Sequence, residues 1–236
     1  MRLLLKKLII FWGYVFHYNH KSKIIYYHDV SKRYTDMGTD FNLMQKHFDI
    51  VLKEHYAFVP EITHDNNQVM VCFDDGWAGI YTYKDEFVKR NIYPTIFIAV
   101  SLIGKNGYLT IPQIKELIGL GFRFQAHTWS HNDLTTFNDT QLEHELKDSK
   151  EWFEKTFSCP FENICFPMGR FSSHIVELCK KYGYKKVFTS IIGSVNPKDQ
   201  LLRRNCVQSS SPKEFLWMLN GISPIFQKRL EKQHIA

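Results

Sequence analysis

The chain has 236 residues, which is enough for one full-sized domain or two small ones. Its 44% hydrophobic and 23% charged residues exclude a disordered tail and a fibrous repeat. The net charge of +6 is uneven, because residues 1–23 hold five basic residues and no acidic one, while the remainder has 25 basic against 24 acidic residues. A nucleic-acid-binding domain should be basic across its folded body, so we expect no nucleic-acid partner.

The N-terminal segment, residues 1–20, is basic and apolar and differs from the rest of the chain. Its apolar stretch from Leu8 to Phe16 is too short to span a bilayer, and no small-residue cleavage site follows it. Two interpretations stay open: a helix lying on a membrane surface, which would make a peripheral membrane contact, or a helix packed on the domain. Residues 21–236 are expected to form one domain.

The number and spacing of the cysteines help to predict the cellular compartment of the protein. There are five, an odd number without any CxxC pair, which indicates neither a zinc ribbon nor a disulfide framework. Together with the missing cleavage site, they favour the cytoplasmic side or the inner membrane surface, with an extracytoplasmic location as the alternative.

From residue 24 onward, short β-rich runs alternate with helical periods. Strands are predicted at Ile24–Tyr27, Val69–Phe73, Thr95–Val100, Phe122–Ala126, Asn163–Phe166 and Lys186–Ser190. Helices are predicted from Phe41 to Leu52 with Asp40 as N-cap, around Ile80 to Arg90, from Pro112 to about Gly119, from the cap Asp139 to about Phe157, around Ser173 to Tyr182, and after Pro212. This alternation indicates parallel βαβ units in a single α/β domain.

Polar side chains follow two of these strands directly. Asp74 and Asp75 come after one predicted strand, and His127 and His131 come after another. Each pattern alone is more typical of a turn or of an incidental histidine pair. Together, one carboxylate and two imidazoles form a facial ligand set for a divalent metal, and the second carboxylate is left to accept a proton. A bound divalent metal lowers the pKa of water from about 15.7 towards about 7.

These residues also carry a family resemblance. Phe73–Gly76 resembles the first signature of the NodB-like polysaccharide deacetylases, and His127–His131 resembles their second. Phe166–Arg170 resembles the third signature. Tyr27–Val30 is similar to the opening of the branch that acts on poly-N-acetylglucosamine. The resemblance covers about residues 24 to 210, with order and spacing in agreement.

The resemblance implies a distorted (β/α) barrel of the NodB-homology type, and removal of N-acetyl groups from an amino sugar or an N-acetylated polysaccharide. In that scheme Asp74 is the general base, while Asp75, His127 and His131 hold the metal. Zinc is the default for these ligands, with cobalt, nickel and iron as alternatives.

The third signature and two departures from the family pattern determine the other expected roles. Pro167 and Met168 are expected to contact substrate, with the Met168 backbone N–H as oxyanion donor, in place of the usual Tyr. Cys165 stands where the family often has an Arg that pairs with the base. Leu202–Asn205 resembles a later family segment, often Leu-Pro-Arg, whose Arg can do the same job, so the resemblance places Arg204 beside Asp74, the alternative being a surface Arg. The late histidine that supplies the acid has no match, so His28 is the substitute candidate, the alternative being a structural His.

Two other functions stay open. The missing late histidine and the altered third signature are compatible with a non-catalytic carbohydrate-binding relative. The same metal chemistry on a small non-sugar amide is the second alternative, which a narrow closed pocket would favour over an open groove.

Overall fold

The computed structural model describes residues 20–33 and 35–221. Nearly all of the predicted N-terminal segment, and residues 222–236, lie outside the described residues. No helix within the described ranges is long and apolar enough to cross a membrane.

A parallel sheet forms the centre of the protein. Across the described residues it has nine strands: β1 Lys23–Tyr27, β4 Ala57–Phe58, β5 Gln68–Phe73, β6 Thr95–Ile98, β7 Arg123–Ala126, β8 Asn163–Cys165, β9 Lys186–Phe188, β10 Leu201–Leu202 and β11 Asn205–Cys206. The strand order is β10-β9-β8-β7-β6-β5-β1-β11, with β4 also paired to β5. A separate two-stranded sheet joins β2 Asp29–Ser31 to β3 Gly38–Asp40.

The two ends of this sheet come close together in space. β10 pairs with β9 at one end, whereas β11 pairs with β1 at the other. Only Arg203 and Arg204 separate β10 from β11, and three peptide steps span at most about 11 Å. The sheet therefore curls into the predicted distorted barrel, and Arg204 lies at its seam.

Helices pack on the outside of the barrel. They are α1 Phe41–Lys53, α2 Gly79–Thr82, α3 Lys84–Lys89, α4 Ile111–Gly119, α5 Asp139–Glu143, α6 Ser149–Phe157, α7 Ser173–Lys181 and α8 Pro212–Leu219. Asp40 caps α1 as predicted, by accepting a hydrogen bond from the Leu43 amide.

Two helix predictions need correction. The single helix predicted around Ile80 to Arg90 is two short helices, α2 and α3, interrupted at Tyr83. The long helix up to Phe157 is capped by Asn138 rather than Asp139, because the Asn138 side chain accepts from the Gln141 amide. A π-helical segment, His144–Asp148, separates α5 from α6.

Alternation along the strands divides the core into two layers. On β5, Val69, Val71 and Phe73 pack against the helices, whereas Met70 and Cys72 pack inside the barrel. Because side chains alternate with period two, the residue after Phe73 continues the inward face. Asp74 is therefore directed into the mouth of the barrel.

Candidate active site

Six of the eight predicted site residues line one pocket at the carboxyl ends of the strands, as expected for parallel βαβ units, whereas Pro167 and Arg204 are not part of its lining. Its volume is about 280 Å³. The pocket is lined by Tyr26, His28, Met37, Asp74, Asp75, His127, His131, Phe166, Met168 and Ser190. Met37 and Met168 are among the exposed large apolar side chains, so the pocket is open to solvent on their side.

Asp75, His127 and His131 form a compact cluster. Asp75 Oδ1 lies 3.2 Å from His127 Nε2 and 2.9 Å from His131 Nε2. A cation with bonds of about 2.1 Å requires ligand atoms roughly 3 to 3.5 Å apart, which these distances meet. The side chains of Asp75 and His127 are buried, while that of His131 is 26% exposed and faces the pocket.

Unusual backbone conformations bring these side chains together. Asp75 and His131 have φ values of +68° and +62°, and Thr128 has +69°. Such left-handed conformations are uncommon for residues other than Gly, and they turn successive side chains away from simple alternation. Gly76 has φ +78°, and a Cβ there would lie 2.7 Å from Ile98 Cγ2. The Asp-Asp-Gly turn thus requires glycine at its third position.

Hydrogen bonds from neighbouring groups orient the side chains of the cluster in a way that favours metal binding. His127 Nδ1 lies 2.7 Å from the Cys165 carbonyl oxygen. A carbonyl only accepts hydrogen bonds, so Nδ1 carries a proton, and Nε2 is the nitrogen that faces Asp75. The Trp77 indole donates to Asp75 Oδ2 at 3.2 Å, which leaves Oδ1 for a ligand. The donor set therefore fits a divalent cation.

The electrostatics of the cluster also favour binding of a cation. Burial raises the pKa of the Asp75 carboxyl, but hydrogen bonds to His127 and His131 outweigh it and hold the pKa well below the ordinary range. Burial lowers the pKa of His131, and its hydrogen bond to Asp75 reverses this, so that the pKa is raised. An ionised carboxylate at neutral pH is the form that binds a cation.

Asp74 and Arg204 form a buried bidentate ion pair. Arg204 Nη1 donates to Asp74 Oδ1 at 2.6 Å, and Nη2 donates to Oδ2 at 2.8 Å. Arg204 is fully buried, with its guanidinium over the Tyr26 ring at 4.2 Å and its Nε donating to the Thr189 carbonyl. The structure thus places Arg204 beside Asp74 as expected, and the surface alternative is wrong.

Cys165 completes the surroundings of the ion pair. Its Sγ lies 2.8 Å from Arg204 Nη2, and burial raises the pKa of the thiol well above its usual value. Asp74, His127 and Cys165 also form a close group of ligand-type atoms. Because Arg204 already occupies both Asp74 oxygens and the sulfur, the Asp75 cluster is the better cation site.

The third signature contributes one exposed and one buried residue. Pro167 is buried, whereas Met168 is 55% exposed and lines the pocket. Met168 has φ +57°, a strained conformation for a residue with a Cβ. Strain of this kind is found where a loop is held for function, so the Met168 backbone is a reasonable contact for a ligand.

His28 lies across the pocket from the third signature. It is half-buried, and its Nδ1 lies 2.6 Å from Gln208 Oε1, an acceptor oxygen. Nδ1 therefore carries a proton, and Nε2 is the nitrogen available for chemistry. His28 thus combines a hydrogen bond to a neighbour, as a structural histidine has, with a position on the pocket wall.

Several residues at the site were not predicted from the sequence. Tyr26 could have been found, because it precedes His28 by two positions on the same inward face. Gln208, Ser190 and Met37 follow from tertiary packing alone. Trp77 stacks on Tyr108 with ring centroids 4.3 Å apart, so one face of its indole is covered.

Comparisons with known proteins identify the family. The Bacillus subtilis protein YxkH, whose own assignment as a polysaccharide deacetylase is provisional, is 27% identical over 76% of this chain and 68% of its own length. The peptidoglycan-N-acetylmuramic acid deacetylase PdaA of the same organism is 27% identical over 62% of this chain and 55% of its own length. A Streptococcus pyogenes deacetylase, PplD, solved with acetate, shares the fold with a TM-score of 0.75 at 22% identity, over 85% of this chain and 99% of its own. The polysaccharide deacetylase family model matches residues 61–187, more than half of the chain, and the chain belongs to that family.

Proposed function

We propose that this chain is a metal-dependent hydrolase that removes N-acetyl groups from an amino sugar or an N-acetylated polysaccharide. The observation that carries the proposal is one pocket in which a buried carboxylate, Asp74, lies beside a cation site formed by Asp75, His127 and His131. Amide hydrolysis needs a base for water and a positive charge for the developing oxyanion, and this arrangement supplies both.

The proposed metal would be held by Asp75, His127 and His131, with zinc as the default and cobalt, nickel or iron as alternatives. When bound, it would lower the pKa of water and polarise the acetyl carbonyl as a Lewis acid.

Asp74 is the proposed general base. It would take a proton from the water that attacks the acetyl carbonyl. Each of its carboxylate oxygens accepts one bond from Arg204 and keeps a second lone pair, so the ion pair orients the base without consuming it. Arg204 acts through Asp74 and is therefore a positioning residue.

The remaining steps use the pocket walls. The Met168 backbone N–H is the proposed oxyanion donor, with the buried Pro167 next to it in the same turn. A backbone donor does not depend on the side chain at that position. His28 is the proposed acid for the leaving amine, with Gln208 holding its Nδ1 so that Nε2 exchanges the proton.

The substrate class follows from the pocket and the relatives. The pocket is open beside Met37 and Met168, which favours a saccharide end or chain over a small amide enclosed on all sides. Relatives of the chain are named for the N-acetylglucosamine and N-acetylmuramic acid of peptidoglycan. Both are N-acetylated amino sugars, the class that we propose here.

The proposal is tested by acetate release from N-acetylglucosamine oligomers. The protein is stripped of metal and then assayed alone and with Zn²⁺, Co²⁺ or Ni²⁺. We expect acetate only with metal, and its loss in Asp74→Asn, which removes the base while leaving the cation site intact. Asp65→Asn is the matched control, because Asp65 is an exposed aspartate paired with Lys21 outside the pocket.

Metal binding without acetate from any oligomer would instead support the non-catalytic relative or another acyl substrate. Full activity in Asp74→Asn would show that the base is assigned to the wrong residue. A protein that binds no metal would contradict the cation site itself.

A further inference from the structure

Glu145 is a buried carboxylate that lies outside the pocket and contacts the loop between the two histidines. It is only 3% exposed. Its Oε2 accepts hydrogen bonds from the backbone N–H groups of Trp129 and Ser130, both at 2.9 Å. Two charge-assisted bonds from adjacent amides to one oxygen are a strong and directional contact.

The π-helical segment brings Glu145 to this position. A π turn inserts one extra residue into the helix, and such insertions shift the side chains that follow to a new face. Glu145 and Leu146 are both buried within the segment. The Ser149 hydroxyl donates a hydrogen bond to the Glu145 carbonyl and so adds a side-chain contact to the segment.

The loop that Glu145 contacts is strained and needs support. Thr128 and His131 both have positive φ, and Thr128 is β-branched, so this conformation persists only when its surroundings impose it. On one side, the Ser101 amide donates to the Trp129 carbonyl at 2.8 Å. On the other side, Glu145 holds the amides of Trp129 and Ser130, so the loop is fixed from both directions.

We propose that Glu145 is a positioning residue that holds His127 and His131 at the spacing required for a divalent cation. This inference rests on the proposed metal-dependent function. Without the carboxylate, two partly buried amides lose their acceptor and the loop relaxes from its strained conformation. Because His131 lies directly beyond the clamped amides, its Nε2 then moves relative to Asp75 and His127.

The test compares Glu145→Met with Glu145→Gln in the full chain. Met has a similar volume and no acceptor of comparable strength, whereas Gln keeps an oxygen acceptor. Affinity for Zn²⁺ and Co²⁺ is measured by competition with a chelating dye, and the visible absorption of bound Co²⁺ reports the coordination geometry. Glu151→Gln, an exposed glutamate on α6, is the matched control.

We expect Glu145→Met to weaken metal binding by about 10- to 100-fold and to alter the Co²⁺ bands, as loss of outer-shell support does in other metal sites. Glu145→Gln should retain most of the affinity, and Glu151→Gln all of it. Hydrogen exchange at the Trp129 and Ser130 amides of the metal-free protein should accelerate in Glu145→Met, beyond any change in global unfolding free energy.

Wild-type affinity and unchanged Co²⁺ bands in Glu145→Met would overturn the proposal. Equal losses in Glu145→Gln and Glu145→Met would also overturn it, since charge rather than the two hydrogen bonds would then be responsible. Failure of the wild-type protein to bind metal would contradict the proposed function instead. In that case unchanged amide exchange in Glu145→Met would separately exclude the clamp.

Discussion

Replacing Arg204 by Met tests the buried ion pair most directly. Arg204 is fully buried, and the side chain of Asp74 is 6% exposed, so both charges are removed from water. Removing one partner leaves Asp74 and the Thr189 carbonyl without their donors. Breaking a buried pair in this way costs about 3–5 kcal/mol, a large share of the roughly 5–15 kcal/mol that stabilises a typical domain.

The measurement is urea unfolding of Arg204→Met, Asp74→Asn and the double variant, with the slope of the transition checked for each. Since the two residues are in contact, the double variant should lose less than the sum of the single losses, with a coupling of about 1–3 kcal/mol. The control is Arg123→Met, because Arg123 forms a solvent-exposed pair with Glu61 at 3.4 Å and should cost less than about 1 kcal/mol. If Arg204→Met costs no more than Arg123→Met, the reasoning about the buried pair is refuted.

Four further outcomes are expected. Asp75→Ala should abolish tight metal binding in equilibrium dialysis, whereas Asp74→Asn should retain it. Equally tight metal binding in Asp75→Ala and Asp74→Asn would contradict the proposed metal ligands. Trp77→Phe keeps an aromatic ring but removes the donor to Asp75 Oδ2, so metal affinity should fall by about tenfold with little loss of stability. Unchanged metal affinity would show that the indole N–H is not needed. Met168→Tyr should keep acetate release, because the proposed donor is in the backbone, and loss of activity with metal still bound would argue for the side chain. Burial, opposed by a hydrogen bond to the Ser210 carbonyl, lowers the pKa of His47 to about 4. The free energy of unfolding of the wild type should therefore fall by about 3 kcal/mol between about pH 6.5 and pH 4. The same pH dependence in a His47→Gln variant would exclude His47 as the source.

The sign of the His47 effect follows from proton uptake. The folded pKa lies below that of the unfolded chain, so the unfolded state binds more protons as the pH falls through this range. The contribution of His47 to the free energy of unfolding is fully present above the pKa of His47 in the unfolded chain. It is lost as the pH falls towards the pKa of His47 in the folded protein. The difference between wild type and variant isolates His47 from carboxylates that titrate in the same range.

Much of the site could be predicted from local patterns. Short apolar strands that alternate with helices dictated a parallel sheet, and a parallel sheet collects the residues that follow its strands at one edge. Asp74, Asp75 and His127 therefore met where they were expected, since each lies within two residues of a strand end. The cap of α1 at Asp40 is equally local, because it depends only on the Leu43 amide three residues away.

Other predictions failed where local patterns have little information. The interruption at Tyr83 and the π-helical segment before α6 both occur inside runs with good helical periodicity. An extra residue in a turn changes which side chains face the sheet without changing composition, so the pattern still resembles one continuous helix. The very short strands β10 and β11, with two residues each, also lie below the length at which alternation is informative.

The amino-acid sequence by itself determined the strand ends, the period-two alternation that turns Asp74 inward, and the ligand types of the candidate cation site. The resemblance suggested Arg204 as the partner of the base, but only closure of the barrel decided that it is buried there, 130 residues from Asp74 along the chain. Contacts such as His28 with Gln208 and Glu145 with the Trp129 amide depend on how the sheet curls and how a helix widens. Their physical cause is long-range packing, which no spacing of neighbouring residues encodes.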